Sequence, residues 1–206
     1  MLAHKTLLEK FSYADYLAWS EDERFEIIEG VIYDMSPAPS IKHQDISFRL
    51  AGIFYQCLKK SRCRAFTAPF DVMLIEEKKR LHLLENKTAE DKDILEYKDI
   101  QTVVQPDLVV VCDDKKLKER GCFGSPDIAV EILSKSTAYK DETEKLKIYE
   151  KHGVKEYWII NPDAEYIMVY RLDGIKYGKP DYLIKSDILI SCVVEGLVVD
   201  LAELWS

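Results

Sequence analysis

The chain has 206 residues, 47% of them hydrophobic and 32% charged, with a formal net charge of −8 at pH 7. This is the composition of an ordinary globular protein, long enough for one domain with a substantial core. It argues against a protein that coats nucleic acid non-specifically, although a local basic face would still suffice for binding. No apolar run approaches the ~20 residues of a membrane-spanning helix.

The start, Met1-Leu-Ala-His-Lys-Thr, lacks the basic segment and apolar run of a signal peptide, so a cytoplasmic location without membrane attachment is expected. The five cysteines (Cys57, Cys63, Cys112, Cys122 and Cys192) are scattered and form no CxxC pair. That spacing suggests neither a disulfide framework nor a zinc site. Basic clusters at Lys59-Lys60-Ser-Arg62-Cys-Arg64, Lys78-Lys79-Arg80 and Lys115–Arg120 read first as solvated loops or helix ends, and only second as DNA contacts.

In chain order, Ser12 to Trp19 reads as a short helix capped by Ser12. Arg24–Glu29 and Val31–Met35 flank Gly30 as a tight strand pair. Pro37 and Pro39 interrupt the chain before a helix from Ile41 to about Leu58, with His43, Ile46, Leu50, Ile53, Phe54 and Cys57 on one face. Ala65 to Ile75 is expected to be one strand containing Pro69. Glu76 to Lys98 is polar and reads as a surface loop or long insertion, with a mobile hairpin as one option. Strands follow at Pro106–Cys112 and Asp127–Leu133, joined by a basic loop from Asp113 to Ser125. Thr137–His152 forms a helix that stops at Gly153. Glu156–Ile160 is a strand closed by Asn161-Pro162, a hairpin turns at Asp173-Gly174, and a short strand ends the chain near Gly196–Leu201. The order implies a mixed α/β sheet with helices against it.

The chemistry concentrates in the two strands that open Pro106-Asp107 and Pro126-Asp127. Glu131 sits in mid-strand among core residues, where a carboxylate is costly unless paired or bound to a metal. If the strands pair antiparallel around Glu119, Asp107 falls opposite Glu131, with Cα atoms ~4.5–5.5 Å apart. Both carboxylates could then share a cation. Asp127 is excluded, because four strand residues place it ~13 Å from Glu131. Asp127, Ala129, Glu131 and Leu133 share one face, so Glu131 is expected to emerge on a semi-polar side. The competing reading makes Glu131 an exposed strand residue or the salt-bridge partner of a lysine on the next helix. Mg²⁺, with Mn²⁺ as a substitute, suits such a hard-oxygen pair and can activate water towards a phosphodiester. Lys145 could supply the positive charge; its own simpler reading is an i,i+4 surface pair with Asp141.

Pro126-Asp-Ile-Ala-Val-Glu131-Ile-Leu-Ser134-Lys-Ser136-Thr137, then Asp141, Lys145, Tyr149, Gly153-Val154 and Glu156-Tyr-Trp-Ile-Ile-Asn161-Pro162, resembles the Uma-type restriction endonucleases of the PD-(D/E)XK nuclease superfamily. Phe25-Glu26-Ile-Ile-Glu29-Gly30, Met35–Ser40 and His43-Gln44 agree with that resemblance, which runs from about residue 12 to the end.

The resemblance implies a restriction-endonuclease-like fold, an α/β structure with a mixed central β-sheet flanked by α-helices. It would form a single nuclease domain over 1–206, with an N-terminal helix and hairpin (1–40) before a core from about 41. It implies a metal-dependent DNA endonuclease in which Asp107 and Glu131 bind metal. The usual lysine two residues after the acid is replaced by Leu133, and the resemblance assigns that role to Lys145. Glu26 is implied as a further acidic group and His43 as a supporting one. For His43 a satisfied histidine on a half-buried helix face is the equal alternative. Tyr149, Tyr157 and Trp158 read as core residues. The other function to weigh is a nuclease fold that serves as a DNA-binding or protein-interaction module without catalysis. A homodimer is compatible with cutting both strands.

Overall fold

The computed structural model describes residues 10–19, 24–35, 38–85, 97–134 and 137–206. The start of the chain, the Ser36-Pro37 step, most of the polar stretch after Glu85, and Lys135-Ser136 of the motif lie outside the described residues.

Helix α1 (Tyr13–Leu17) opens with a capping box, in which Ser12 and Asp15 satisfy each other's backbone N–H groups. Strands β1 (Phe25–Ile28) and β2 (Val31–Asp34) form the expected hairpin. Its turn has positive φ at both Glu29 (51°) and Gly30 (85°), the pattern that matches strand twist in two-residue hairpins. Helix α2 (Ile41–Leu58) is capped by Ser40 and buries His43, Ile46, Leu50, Phe54 and Leu58. His43, Ile46, Leu50 and Phe54 are the centre of the stripe read from the sequence, Ile53 and Cys57 are only partly buried at its margin, and Leu58 joins it.

The strand expected from Ala65 to Ile75 is in fact two, β3 (Arg64–Thr67) and β4 (Asp71–Met73), in different sheets. A cis Ala68-Pro69 bond lies between them. Pro69 has no N–H to offer a ladder, so continuous pairing ends there. The polar stretch after Ile75 begins with a helix, α3 (Glu77–Glu85), rather than a loop or hairpin. Arg80 pairs with Glu77 one turn earlier, a contact that favours helix over loop.

After β5 (Val103–Val104) and β6 (Leu108–Val111), the basic segment is likewise more than a loop. It contains β7 (Leu117–Lys118) and β8 (Gly121–Phe123), which join the first sheet. Then come β9 (Ile128–Ile132) and a continuous helix, α4. This helix consists of Ala138–Lys140, a π-helical turn Asp141–Lys145, and Leu146–His152. It ends on Gly153 at φ 77°, a left-handed stop that glycine adopts without steric cost. The remaining strands are β10 (Glu156–Asn161), β11 (Tyr166–Asp173), β12 (Lys176–Tyr177), β13 (Asp181–Ile184), β14 (Ile188–Ile190) and β15 (Val198–Asp200), followed by helix α5 (Leu201–Leu204).

One large sheet runs β2-β1-β5-β4-β8-β7 and the other β12-β11-β10-β9-β6-β3, with β13 also on β11, while β14 and β15 form a separate antiparallel pair. Both large sheets are mixed, since β9·β10 and β4·β8 are parallel and their other pairs antiparallel. Strand β9 is buried at every position, as a central strand covered on both faces should be. Its alternate residues serve two cores. Ile128, Val130 and Ile132 meet Ile46, Leu50 and Phe54 of α2, whereas Ala129 and Leu133 lie with Ile148 and Tyr149 of α4. The face that carries Glu131 is therefore buried rather than semi-polar.

Cys63 and Cys112 form a disulfide, contrary to the expectation from cysteine spacing. They flank the directly paired Arg64 and Val111 of β3·β6. Sheet pairing thus unites cysteines 49 positions apart, which linear spacing does not reveal.

Candidate active site

The β6·β9 ladder pairs Leu108 with Val130 and Val109 with Ala129. One further step in that register sets Asp107 opposite Glu131, the arrangement expected from the pairing arithmetic. Asp127 stands apart from both: it accepts a hydrogen bond from Cys112 N (2.7 Å) and pairs with Lys155. It therefore ties down the far end of the strand pair.

Glu131 is buried, and its Oε1 accepts hydrogen bonds from Lys145 Nζ and Tyr149 Oη, both at 2.8 Å. Tyr149 is thus a core residue, as expected, but one with its hydroxyl on the acid. Lys145 also lies 2.8 Å from Glu26 Oε1 and 3.3 Å from Asp141 Oδ1. The i,i+4 pair with Asp141 exists, yet it is buried rather than on the surface. Glu26 arrives from β1 in the other sheet. Its Oε1 also accepts from Gln105 N, and its Oε2 is bound by Lys140 Nζ.

Lys140 was not foreseen, and the local backbone explains why. Residues five apart on an α-helix differ in direction by about 140°. The π turn, with its i→i+5 repeat, brings Lys140 and Lys145 to the same carboxylate. Nothing in 3.6-residue periodicity signals this.

His43 Nε2 lies 3.3 Å from Asp107 Oδ2, which also accepts from Ile132 N at 2.7 Å. His43 is buried, and its Nδ1 has no hydrogen-bond partner among the described residues. Burial opposes its protonation, but the Asp107 carboxylate and the Ile132 backbone outweigh that and raise its pKa.

All five residues singled out from the sequence (Glu26, His43, Asp107, Glu131 and Lys145) thus line one cleft, with a cavity volume of about 660 Å³. Four carboxylates, Glu26, Asp107, Glu131 and Asp141, face two lysines there. Burial and these charges together set the titration. Burial drives the Glu131 pKa well up; Lys145 opposes that, while Asp141, Asp107 and Glu26 add to it. Burial also disfavours charged Lys145, but Glu131, Glu26 and Asp141 overcome it and raise its pKa strongly, so it stays an ammonium. Burial likewise works against ionised Glu26, yet Lys145 and Lys140 together hold its pKa below the ordinary value.

The donor set fits a hard divalent cation. Asp107 and Glu131 offer oxygen ligands on opposed strand positions, and the cleft has negative charge to spare. Among the described residues no group of three or more His, Cys, Asp or Glu is placed as a ready-made metal cage. A two-carboxylate site completed by water and phosphate is the mode Mg²⁺ prefers.

A family model described as "Uma2: Putative restriction endonuclease" matches residues 13–202. The chain belongs to that family. A Synechocystis member of the known proteins, "Uncharacterized protein slr1290", is 25% identical over 213 residues, covering 98% of this chain and 100% of that one. The crystal structure of a "putative nuclease belonging to DUF820" from Anabaena variabilis aligns with a TM-score of 0.70 at 20% identity, covering 95% of this chain and 97% of the other. That likeness establishes the restriction-endonuclease-like fold. The Uma2 match spans β1, both strands of the acidic pair and all of α4, so every residue of the cleft described above lies inside it. No described helix is long and apolar enough to cross a membrane.

Proposed function

We propose that the protein is a metal-dependent endonuclease that hydrolyses DNA phosphodiester bonds at the Asp107–Glu131 cleft. The observation that carries this reading is the excess of carboxylate around a single cleft, with Glu26, Glu131 and Asp141 buried, in a chain of the Uma2 family. Burying more carboxylates than the neighbouring cations can neutralise is expensive, which suits a site where a further cation is to be bound.

Asp107 and Glu131 would hold Mg²⁺ or Mn²⁺, which supplies a polarised phosphate and an activated water when bound. The chain's own groups have separate tasks. Lys145, kept protonated by its three carboxylates, fixes the Glu131 carboxylate and contributes positive charge beside the reacting phosphate. Tyr149 donates to the same Glu131 oxygen, which limits its rotamers. Glu26 and Lys140 set the position of Lys145. His43 and Ile132 N orient Asp107.

The reading is tested with supercoiled plasmid and Mg²⁺ or Mn²⁺. The wild-type chain nicks the plasmid, and Glu131→Ala abolishes nicking while circular dichroism shows a folded protein. Equal nicking by Glu131→Ala overturns it.

A further inference from the structure

The acidic cleft has a second, unlike lining. Helix α2 contributes Gln44, Ser47, Phe48 and Ala51 to it, and the β3–β4 turn contributes Ala68 and Pro69. Phe48 lies between the buried Ile46 and Leu50 and therefore points outward; it is 81% exposed. Single exposed apolar residues are ordinary, but this ring stands at the mouth of the cleft. One turn before it, the Gln44 side-chain amide has no hydrogen-bond partner among the described residues. One turn after it, Gly52 leaves open space, with nothing within 4 Å of where a Cβ would stand. A flat group could lie on the Phe48 ring without meeting a neighbouring side chain at that position.

We propose that Phe48 and Gln44 form a subsite for an unpaired nucleobase, so that the substrate is single-stranded DNA or a single-stranded segment at a junction or flap. This rests on the nuclease reading and specifies its substrate class. An aromatic face stacks on any base, and a carboxamide offers both a donor and an acceptor to a base edge. A base inside a duplex has both faces covered by its neighbours and can reach such a ring only after leaving the stack. The cavity volume of about 660 Å³ falls within the ~300–1,000 Å³ typical of small-ligand sites. Phe48 and His43, the residue on Asp107, line the same cleft, so the base would belong to a nucleotide near the proposed metal site.

The test reads binding rather than cleavage. The full chain is titrated by fluorescence anisotropy in Ca²⁺ against a labelled single strand, the matching duplex, and a strand of abasic sugar-phosphate units. Phe48→Ala should bind the single strand about tenfold more weakly and the duplex within twofold of wild type. Phe48→Tyr should retain single-strand binding. The abasic strand should bind weakly and be indifferent to Phe48→Ala. Unchanged single-strand affinity in Phe48→Ala, or an equal loss on duplex, overturns the proposal.

Ile41, Phe48 and Tyr55 are exposed at seven-residue spacing, so a contact with a second copy is the competing use of this face. Sedimentation showing that Phe48→Ala dissociates a dimer, with single-strand affinity intact, assigns the ring to that contact and overturns the subsite. The two readings fail separately. Phe48-dependent binding without any nicking under Mg²⁺ or Mn²⁺ keeps the subsite and removes the nuclease. Nicking that depends on Glu131 with no Phe48-dependent binding does the reverse.

Discussion

Lys145 Nζ lies 2.8 Å from Glu131 Oε1 although the two residues are 14 positions apart and on different elements. The position two residues after Glu131, where the family resemblance leads one to expect a lysine, is occupied by buried Leu133 packed under α4. The positive charge reaches the acid from that helix instead, and it is buried as deeply as the acid it serves. The consequences can be measured on stability as well as activity.

Removing the ammonium leaves Glu26, Glu131 and Asp141 without their shared cation. Breaking a buried ion pair from one side costs about 3–5 kcal/mol. Lys145→Ala is expected to lose stability of that order in urea denaturation and to lose nicking activity. An exposed i,i+4 pair would instead cost about 0.3–0.5 kcal/mol, so the measurement separates the buried arrangement from a surface one.

Glu131→Gln should move stability the other way at neutral pH. The folded-state pKa of Glu131 is raised above its unfolded value by burial and by the surrounding carboxylates, with Lys145 offsetting only part. A carboxyl with a raised folded pKa binds its proton more tightly when folded. Its ionisation therefore removes stability as pH rises from the unfolded pKa through the folded one. Glu131→Gln, which keeps the shape without the charge, is expected to be more stable than wild type above that window and to converge on it towards acid pH. Denaturation midpoints at several pH values check this; a variant less stable than wild type at every pH would contradict it.

Lys140 and Lys145 act on opposite oxygens of Glu26 because of the π turn between them. Lys140→Ala is expected to destabilise by about 1–3 kcal/mol, the cost of leaving a buried group without one of its partners. It should also lower nicking, through loss of Lys145 position, without removing it. Nicking rates with Lys140→Arg distinguish charge from geometry, since restored stability with reduced rate identifies positioning.

His43 Nε2 lies 3.3 Å from Asp107 Oδ2, a proposed metal ligand. Partners of metal-binding side chains typically contribute ~10–100-fold to affinity or activity. His43→Ala is expected to weaken Mn²⁺ binding within that range, whereas removal of Asp107 should abolish it. Calorimetric titration of both variants makes the comparison.

The parts of this site that were legible in the sequence were those governed by simple periodicity. Asp107 and Glu131 could be set opposite each other because an antiparallel ladder has a constant sum, and β6·β9 follows it. The α2 stripe placed His43 on the inner face. Glu26 came only from family resemblance, since its strand lies in the other sheet and no local pattern links it to Glu131. Lys140 was hidden by a backbone irregularity, and the Tyr149–Glu131 bond by tertiary packing. The break at Pro69 and the Cys63–Cys112 disulfide depended on which sheet each strand joins, which is a long-range choice.

The most direct measurement is the titration of Mn²⁺ into the wild-type chain, Asp107→Ala and Glu131→Ala, each verified as folded. The account predicts saturable binding in wild type that is lost in both variants, since each removes one of only two carboxylate ligands. Binding of the same stoichiometry and affinity in either variant would contradict a metal centre shared by Asp107 and Glu131. Absence of binding in the wild type would favour a nuclease fold that has no metal-dependent catalysis.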